Sequence, residues 1–355
     1  MRLQATLLIP LLLNSLTLAS PGDNLDEFDD CLDACEFQRK CPNSEVDEED
    51  LPSNSYTNIN FNQTPFLLEK LLFWDCMADC DYQCQHIITK ERIHDKEEIY
   101  QFHGKWPFLR LLGMQEFFST IFSVGNFIPH YFGFRLLLQK YHQVSMRGDH
   151  KKPLLINYIA VAIAGMLAWI SSSIFHFRDL LFTEKLDYFF AGGTVLMGFH
   201  AIIGRMFRLD HKPTIRKTFS IFVITIFCAH LLRLYLDWSY TYNMRFNLFF
   251  GLLQYASLVS LAIRNYLSLQ KKKKQHSYGS RYNIHSQRLF SLCATPILLV
   301  VFTSIAMSME IFDFFSYTFQ IDSHAIWHAG TILPSFFLYK FFIDDYEYLS
   351  KEEYD

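Results

Sequence analysis

Charge is what this chain has least of. Only 19% of its 355 residues are Asp, Glu, Lys or Arg, against 50% hydrophobic residues, and the formal charge is -4. A soluble all-helical protein needs polar faces on most of its helices. The long apolar runs that recur after about residue 115 lack them, which excludes that class. There is no Walker-type phosphate loop, no dinucleotide fingerprint and no recognisable nucleic-acid motif. Cysteine is scarce after residue 85: only Cys228 and Cys293 follow, both inside apolar runs, where they read as small core residues.

The other six cysteines fall early, as Cys31-x3-Cys35-x5-Cys41 and Cys76-x3-Cys80-x3-Cys84. They lack the Cys-x2-Cys spacing of structural zinc sites. Met1-Arg2 followed by the apolar stretch Leu7 to Leu18 reads as a signal peptide over 1–19, with Thr17 and Ala19 at the -3 and -1 positions. An uncleaved anchor is the alternative, but the run is short for a span. An even cysteine count behind a signal peptide implies disulfides in an oxidising compartment, with fifteen pairings open. Residues 20–110 therefore read as a small, polar, disulfide-rich luminal domain, with Asn62-Gln63-Thr64 as its N-glycosylation sequon.

Seven candidate spans follow, near 116–136, 154–174, 186–206, 218–236, 245–264, 289–309 and 324–343, each long enough to cross hydrocarbon. The fold class is thus an all-α integral membrane protein with seven transmembrane helices, its spanning domain covering 111–343. Orientation follows from charge. Lys140, Arg147, Lys151 and Lys152 lie in one linker, Arg208, Lys212, Arg216 and Lys217 in another, and Lys271 to Lys274 with Arg281 and Arg288 in a third. The alternate linkers are short or acidic; 310–323 has Glu310, Asp313 and Asp322 and no Lys or Arg. The basic linkers are cytosolic, the N-terminus luminal, and the acidic tail 344–355 cytosolic.

This topology brings five polar residues to one membrane depth, near the luminal surface. Ser172 and His176 end the second span, Asp187 begins the third, and His324 and His328 begin the seventh. Four-residue spacing stacks each pair on one helix face. Three imidazoles plus an open position is an arrangement of catalytic zinc, although a His-x3-His pair also occurs at membrane interfaces without metal. His200 lies thirteen residues beyond Asp187, about 20 Å down the axis, and is excluded from the group. Trp169, Trp238 and Trp327 read as interface anchors, and Gly165 and Gly192-Gly193 as close-packing positions.

Four stretches carry a resemblance: Gln101 to Phe108 (QFHGKWPF), Ser172 to Asp179 (SSIFHFRD), Thr183 to Phe189 (TEKLDYF) and Asp322 to His328 (DSHAIWH). The chain resembles the post-GPI-attachment phospholipase A2 family, which remodels the lipid of GPI anchors. That family lies within a superfamily of seven-helix membrane hydrolases and receptors, with the alkaline ceramidases and adiponectin-receptor-like proteins. The resemblance implies His176, His324 and His328 as zinc ligands, with Ser172 and Asp187 as the accompanying catalytic residues. It implies a multi-pass endoplasmic reticulum enzyme that removes the sn-2 acyl chain from GPI-anchored proteins. The alternatives are a ceramide amidase, or a non-enzymatic receptor or assembly factor with structural zinc. Asp187 can transfer protons or only orient a ligand or water, and Ser172 can donate a hydrogen bond to a developing oxyanion. His103 and Lys105 are candidates for contact with the substrate head group, or form a turn packed beneath the luminal domain.

Overall fold

The computed structural model describes residues 20–42, 44, 46–47, 55–145, 151–275 and 282–352. The expected signal peptide at 1–19 lies outside the described residues. The chain divides into two units: one holds the residues up to Gln115 together with the loop Phe315–Gln320, the other holds Glu116–Phe314 and Ile321–Asp355.

The first unit is built on helices α1 (Asp26–Arg39), α2 (Phe66–Leu72) and α3 (Cys76–His94). Four-residue spacing puts Cys31 and Cys35 on one face of α1 and Cys76, Cys80 and Cys84 on one face of α3, with Cys41 just past the end of α1, so two antiparallel helices can be laddered together. That is the observed pairing: Cys31–Cys84, Cys35–Cys80 and Cys41–Cys76. With Phe28, Ala34, Ile88 and Phe102 the cysteines form the unit's core. Asp79 is buried among them and receives hydrogen bonds from Arg39 at 2.8 Å and Arg110 at 2.5 Å. Burial alone would raise its pKa, but the two guanidiniums and Gln83 outweigh it and hold the carboxyl below the ordinary aspartate range. Arg110 in turn lies over the rings of Tyr82 and Trp74, at 3.7 and 4.3 Å.

The QFHGKWPF stretch folds as a turn in this unit. Phe102 and Lys105 close a turn through reciprocal backbone bonds, with His103 and Gly104 at positive φ. His103 Nε2 meets Asp81 at 2.8 Å, and its backbone N–H donates to Asp23 at 2.7 Å. The hydrogen bond to Asp81 raises the pKa of His103. Gly22 is required here, because a side chain would collide with Gln101 O and the Phe102 ring. Trp106 stacks on Phe315 at 5.4 Å, and Gln320 accepts from Leu109 N–H at 2.6 Å. His86 bonds to Phe108 O at 3.1 Å, and burial pushes its pKa down to about 4. Asn62, of the glycosylation sequon, is exposed.

The second unit contains α4 (Phe117–Ser145), α5 (Lys152–Phe177), α6 (Leu181–Met206), α7 (Pro213–Leu236), α8 (Tyr240–Gln275), α9 (Tyr282–Leu289), α10 (Thr295–Phe312) and α11 (Ser323–Glu352), with a π-helical turn at Phe290–Ala294 joining α9 to α10. Among the described residues, five stretches are long and apolar enough to cross a membrane: Lys152–Phe177, Leu181–Met206, Pro213–Leu236, Tyr240–Lys271 and Ser286–Phe312. The helices α4 and α11 are longer than most of these but carry Pro129 and Pro334 and more polar side chains. α5 packs between α4 and α6, α6 on α8, α8 on α10, and α11 closes the ring between α10 and α4; α7 lies against α6.

Small residues permit the close approaches expected of membrane helices. A side chain at Gly165 would overlap the His130 ring, and one at Gly133 the Tyr339 ring. His130 and Tyr339 are themselves hydrogen-bonded at 2.6 Å. The acidic segment from Asp344, expected as a tail, continues α11 as helix to Glu352. Its Asp345 is fully buried, bonded to Arg205 at 2.5 and 2.8 Å and to Tyr158 at 3.2 Å. Asn265 joins Arg205 at 3.2 Å, so this cluster ties α5, α6, α8 and α11 together.

Candidate metal centre

The C-terminal turn of α5 and the N-terminal turns of α4 and α11 meet in a buried polar cluster. Asp322 caps α11 by accepting the Ala325 N–H at 2.8 Å, which starts the helix just before its two histidines. At the end of α5 the last carbonyls have no intrahelical donor. The Glu116 N–H donates to His176 O at 3.0 Å, and the Glu116 carboxylate meets His176 Nδ1 at 2.8 Å. One residue ahead of α4 thus terminates α5 and orients its imidazole.

Potential ligand atoms of His176, His324 and His328 all lie within 4.8 Å of one another. The ring centroids are 5.1, 5.0 and 4.6 Å apart, and His176 and His328 are almost wholly buried. Each ring is held at Nδ1 by a different partner. His176 is held by Glu116, His324 by Glu310 at 2.9 Å, and His328 by Ser123 Oγ at 2.9 Å. A neutral imidazole whose Nδ1–H is given to a carboxylate presents Nε2 as the metal donor, the usual outer-shell arrangement of histidine–metal sites. The donor set of three imidazoles from two rigid helices fits zinc with a fourth position for water or substrate. Cys41, Cys76 and Cys80 also cluster, but all three sulfurs are in disulfides.

Of the residues singled out from sequence, the three histidines come together as one group. Ser172 is buried next to them, its hydroxyl 3.0 Å from Ser123 Oγ, so a chain Ser172–Ser123–His328 runs through the cluster. Asp187 is half-buried in the second turn of α6 and is outside the three-histidine group. His103 and Lys105 belong to the turn of the other unit. The remaining membrane histidines are housed separately: His130 with Tyr339 and Trp169, His200 with Ser220, and His230 against Phe246.

Sequence reasoning missed Glu116, Ser123 and Glu310 as members of the site. The available signal was an acidic residue at the edge of an apolar run, costly there without a partner. An apolar groove of about 550 Å³ between α10 and α11 is a separate feature. Its α11 lining, Ile326, Gly330, Leu333 and Phe337, falls on the face opposite His324 and His328 at roughly 100° per residue, so it opens away from the histidines.

Comparison with known proteins agrees with this geometry. Residues 66–346 match the Per1-like family. The chain is 57% identical to Protein PER1 of Saccharomyces cerevisiae, over 94% of each chain. It is 32% identical to the Protein PER1 homolog of Schizosaccharomyces pombe, over 92% of this chain and 87% of that one. It is 29% identical to the GPI-specific phospholipase A2-like PGAP3 of Xenopus tropicalis, over 97% and 96%. No solved structure matches it.

Proposed function

The chain belongs to the Per1-like family, and from that premise we propose that it is a zinc-dependent hydrolase of the lipid that anchors proteins through glycosylphosphatidylinositol. The observation that carries the metal-dependent chemistry is the trio His176, His324 and His328, with every Nδ1 held by a neighbour. The substrate class follows from the relatives named as GPI-specific phospholipase A2-like. The bond cut is the sn-2 ester of the phosphatidylinositol, leaving a lyso-GPI and a free fatty acid.

A bound zinc would supply carbonyl polarisation and a water of near-neutral pKa. The chain's own residues do the rest. Glu116, Glu310 and Ser123 fix the three imidazoles. Asp187 accepts the proton of the attacking water as its oxygen bonds to the ester carbon, and returns a proton to the glycerol oxygen as that bond breaks. Ser172 donates its hydroxyl to the developing oxyanion, after releasing Ser123.

In this reading the protein spans the endoplasmic reticulum membrane seven times, with α4 and α11 as the first and last spans. Its N-terminus and metal centre are luminal and its C-terminus cytosolic. The basic linkers support that orientation. A luminal first unit agrees with its three disulfides and makes Asn62 an acceptor for glycan. Purified protein offered defined ester and amide lipids tests the reaction class. Ester cleavage is expected; cleavage of ceramide alone would make it an amidase, and cleavage of neither a receptor or assembly factor.

A further inference from the structure

One face of the first unit is poorly suited to water. Phe66, Leu67, Leu71 and Phe73 are 70, 65, 66 and 64% exposed, and Leu112 is 86% exposed. These residues form one patch. The turn Leu111–Met114 is closed by reciprocal backbone bonds of 3.2 and 3.0 Å and seats Gly113 against α2. A side chain at Gly113 would begin 3.1 Å from Leu72 and 3.3 Å from Leu68. Scattered exposed leucines need no explanation, but a contiguous apolar patch of this kind marks an interaction surface.

The backbone adds an independent observation. Phe73, which ends α2, and Leu112, at the tip of the turn, both have φ of 55°. Glycine or asparagine takes that left-handed conformation cheaply, and a bulky residue does not. Backbone bonds within the chain hold both turns, Trp74 N–H to Leu68 O at 3.2 Å and the Leu111–Met114 pair, and in this geometry the Phe73 and Leu112 side chains stand on the exposed face.

Among candidate occupants, the observations favour a lipid surface. Leu112 is only five residues before Phe117, where α4 begins, so the turn tip lies within about 18 Å of chain from a helix that spans the membrane in the proposed topology. The patch is made of Phe and Leu, and the two charges of α2, Glu69 and Lys70, pair with each other at 2.6 Å. Such a segment suits burial of roughly 5–10 Å at the boundary of head groups and acyl chains. A second copy of the chain is a poorer occupant, because five apolar side chains fall far short of the roughly 20–30 residues a stable protein interface uses on each side.

We propose that α2 and the Leu111–Met114 turn form a membrane foot that inserts Phe66, Leu67, Leu71, Phe73 and Leu112 into the interfacial layer of the bilayer. The inference rests on the proposed topology for the choice of the luminal leaflet, and not on the hydrolytic reaction. Nitroxide labels at Leu71→Cys and Leu112→Cys, in full-length protein carrying Cys228→Ser and Cys293→Ser and reconstituted in phosphatidylcholine vesicles, measure the insertion. Both labels should be several-fold more accessible to oxygen than to a water-soluble nickel chelate, relative to a label at Glu98→Cys. Chelate accessibility equal to that control would overturn the foot, and so would shielding from both reagents, which means a protein covers the patch. Because a new cysteine can disturb the disulfides, Leu112→Trp in brominated lipid provides a second measurement. Quenching beyond that of the parent's own tryptophans supports insertion, and its absence refutes it. An enzyme that hydrolyses its lipid while these probes stay in water would lose the foot and keep the function.

Discussion

At the scale of single residues, the metal centre was half legible. His176, His324 and His328 could be grouped from sequence because span order and linker charge put their helix ends at one depth. Glu116 and Glu310 could not, since the first reads as the edge of an apolar run and the second as one acid in a short acidic linker. Only tertiary packing reveals that each faces an imidazole. Glu116→Gln should weaken zinc binding by about 10–100-fold, the usual effect of losing an outer-shell partner. Glu310→Gln should do less, because its pair with His324 is more open to solvent than the almost fully buried Glu116–His176 pair. Competition with a chelator reads out both affinities, and unchanged affinity in Glu116→Gln would remove its positioning role. Asp187→Asn should keep zinc and the fold but lose about 10²–10⁴ in turnover, the range for a positioned acid–base group. Ser172→Ala should lose about 10²–10³. An Asp187→Asn enzyme with native turnover would reduce that aspartate to a packing residue.

At the scale of elements, apolar run length located α4 to α8, α10 and α11 but not the polar 19-residue α3, and the located helices extend past the apolar windows by up to about three turns. α8 runs to Gln275 and α11 to Glu352, because hydrogen bonding continues wherever nothing breaks it. The π-helical turn at Phe290–Ala294 has no sequence mark comparable to a proline. That the six early cysteines form disulfides was legible in the sequence, but the pairing needed the antiparallel packing of α1 on α3. That packing buries Asp79 between two arginines, and removing one partner of such a pair typically costs about 3–5 kcal/mol. Asp79→Asn should therefore loosen α1 and α3, read as faster amide exchange in both helices. The folded pKa of Asp79 is depressed, so its contribution is present above the unfolded value near ~3.9 and is lost as pH falls through the folded value. The exchange difference between parent and variant should accordingly be full at neutral pH and shrink in acid below that range. A difference that persists unchanged in acid would assign the effect to packing rather than charge.

At the scale of the whole molecule, two kinds of polarity are kept apart. The disulfide-rich unit uses covalent bonds and a buried ion cluster where apolar core is scarce. The helical unit keeps its polar groups inside, as the histidine centre and as the Arg205–Asp345 cluster, and turns Ile221, Phe222 and Ile224 of α7 outward. Long apolar runs and charge asymmetry make such a division visible in sequence, whereas partners drawn from different helices do not show in it. The central claim, that the three-histidine centre activates water against an acyl ester of a GPI lipid, is tested most directly by isotope. Reconstituted protein is given a defined GPI-anchored protein in heavy-oxygen water, zinc content is measured in parallel, and the lipid products are weighed. The account predicts lyso-GPI and a free fatty acid carrying one heavy oxygen, with both the reaction and the zinc lost in His324→Ala. Intact GPI, a fatty acid without heavy oxygen, or undiminished cleavage by a zinc-free His324→Ala protein would contradict it.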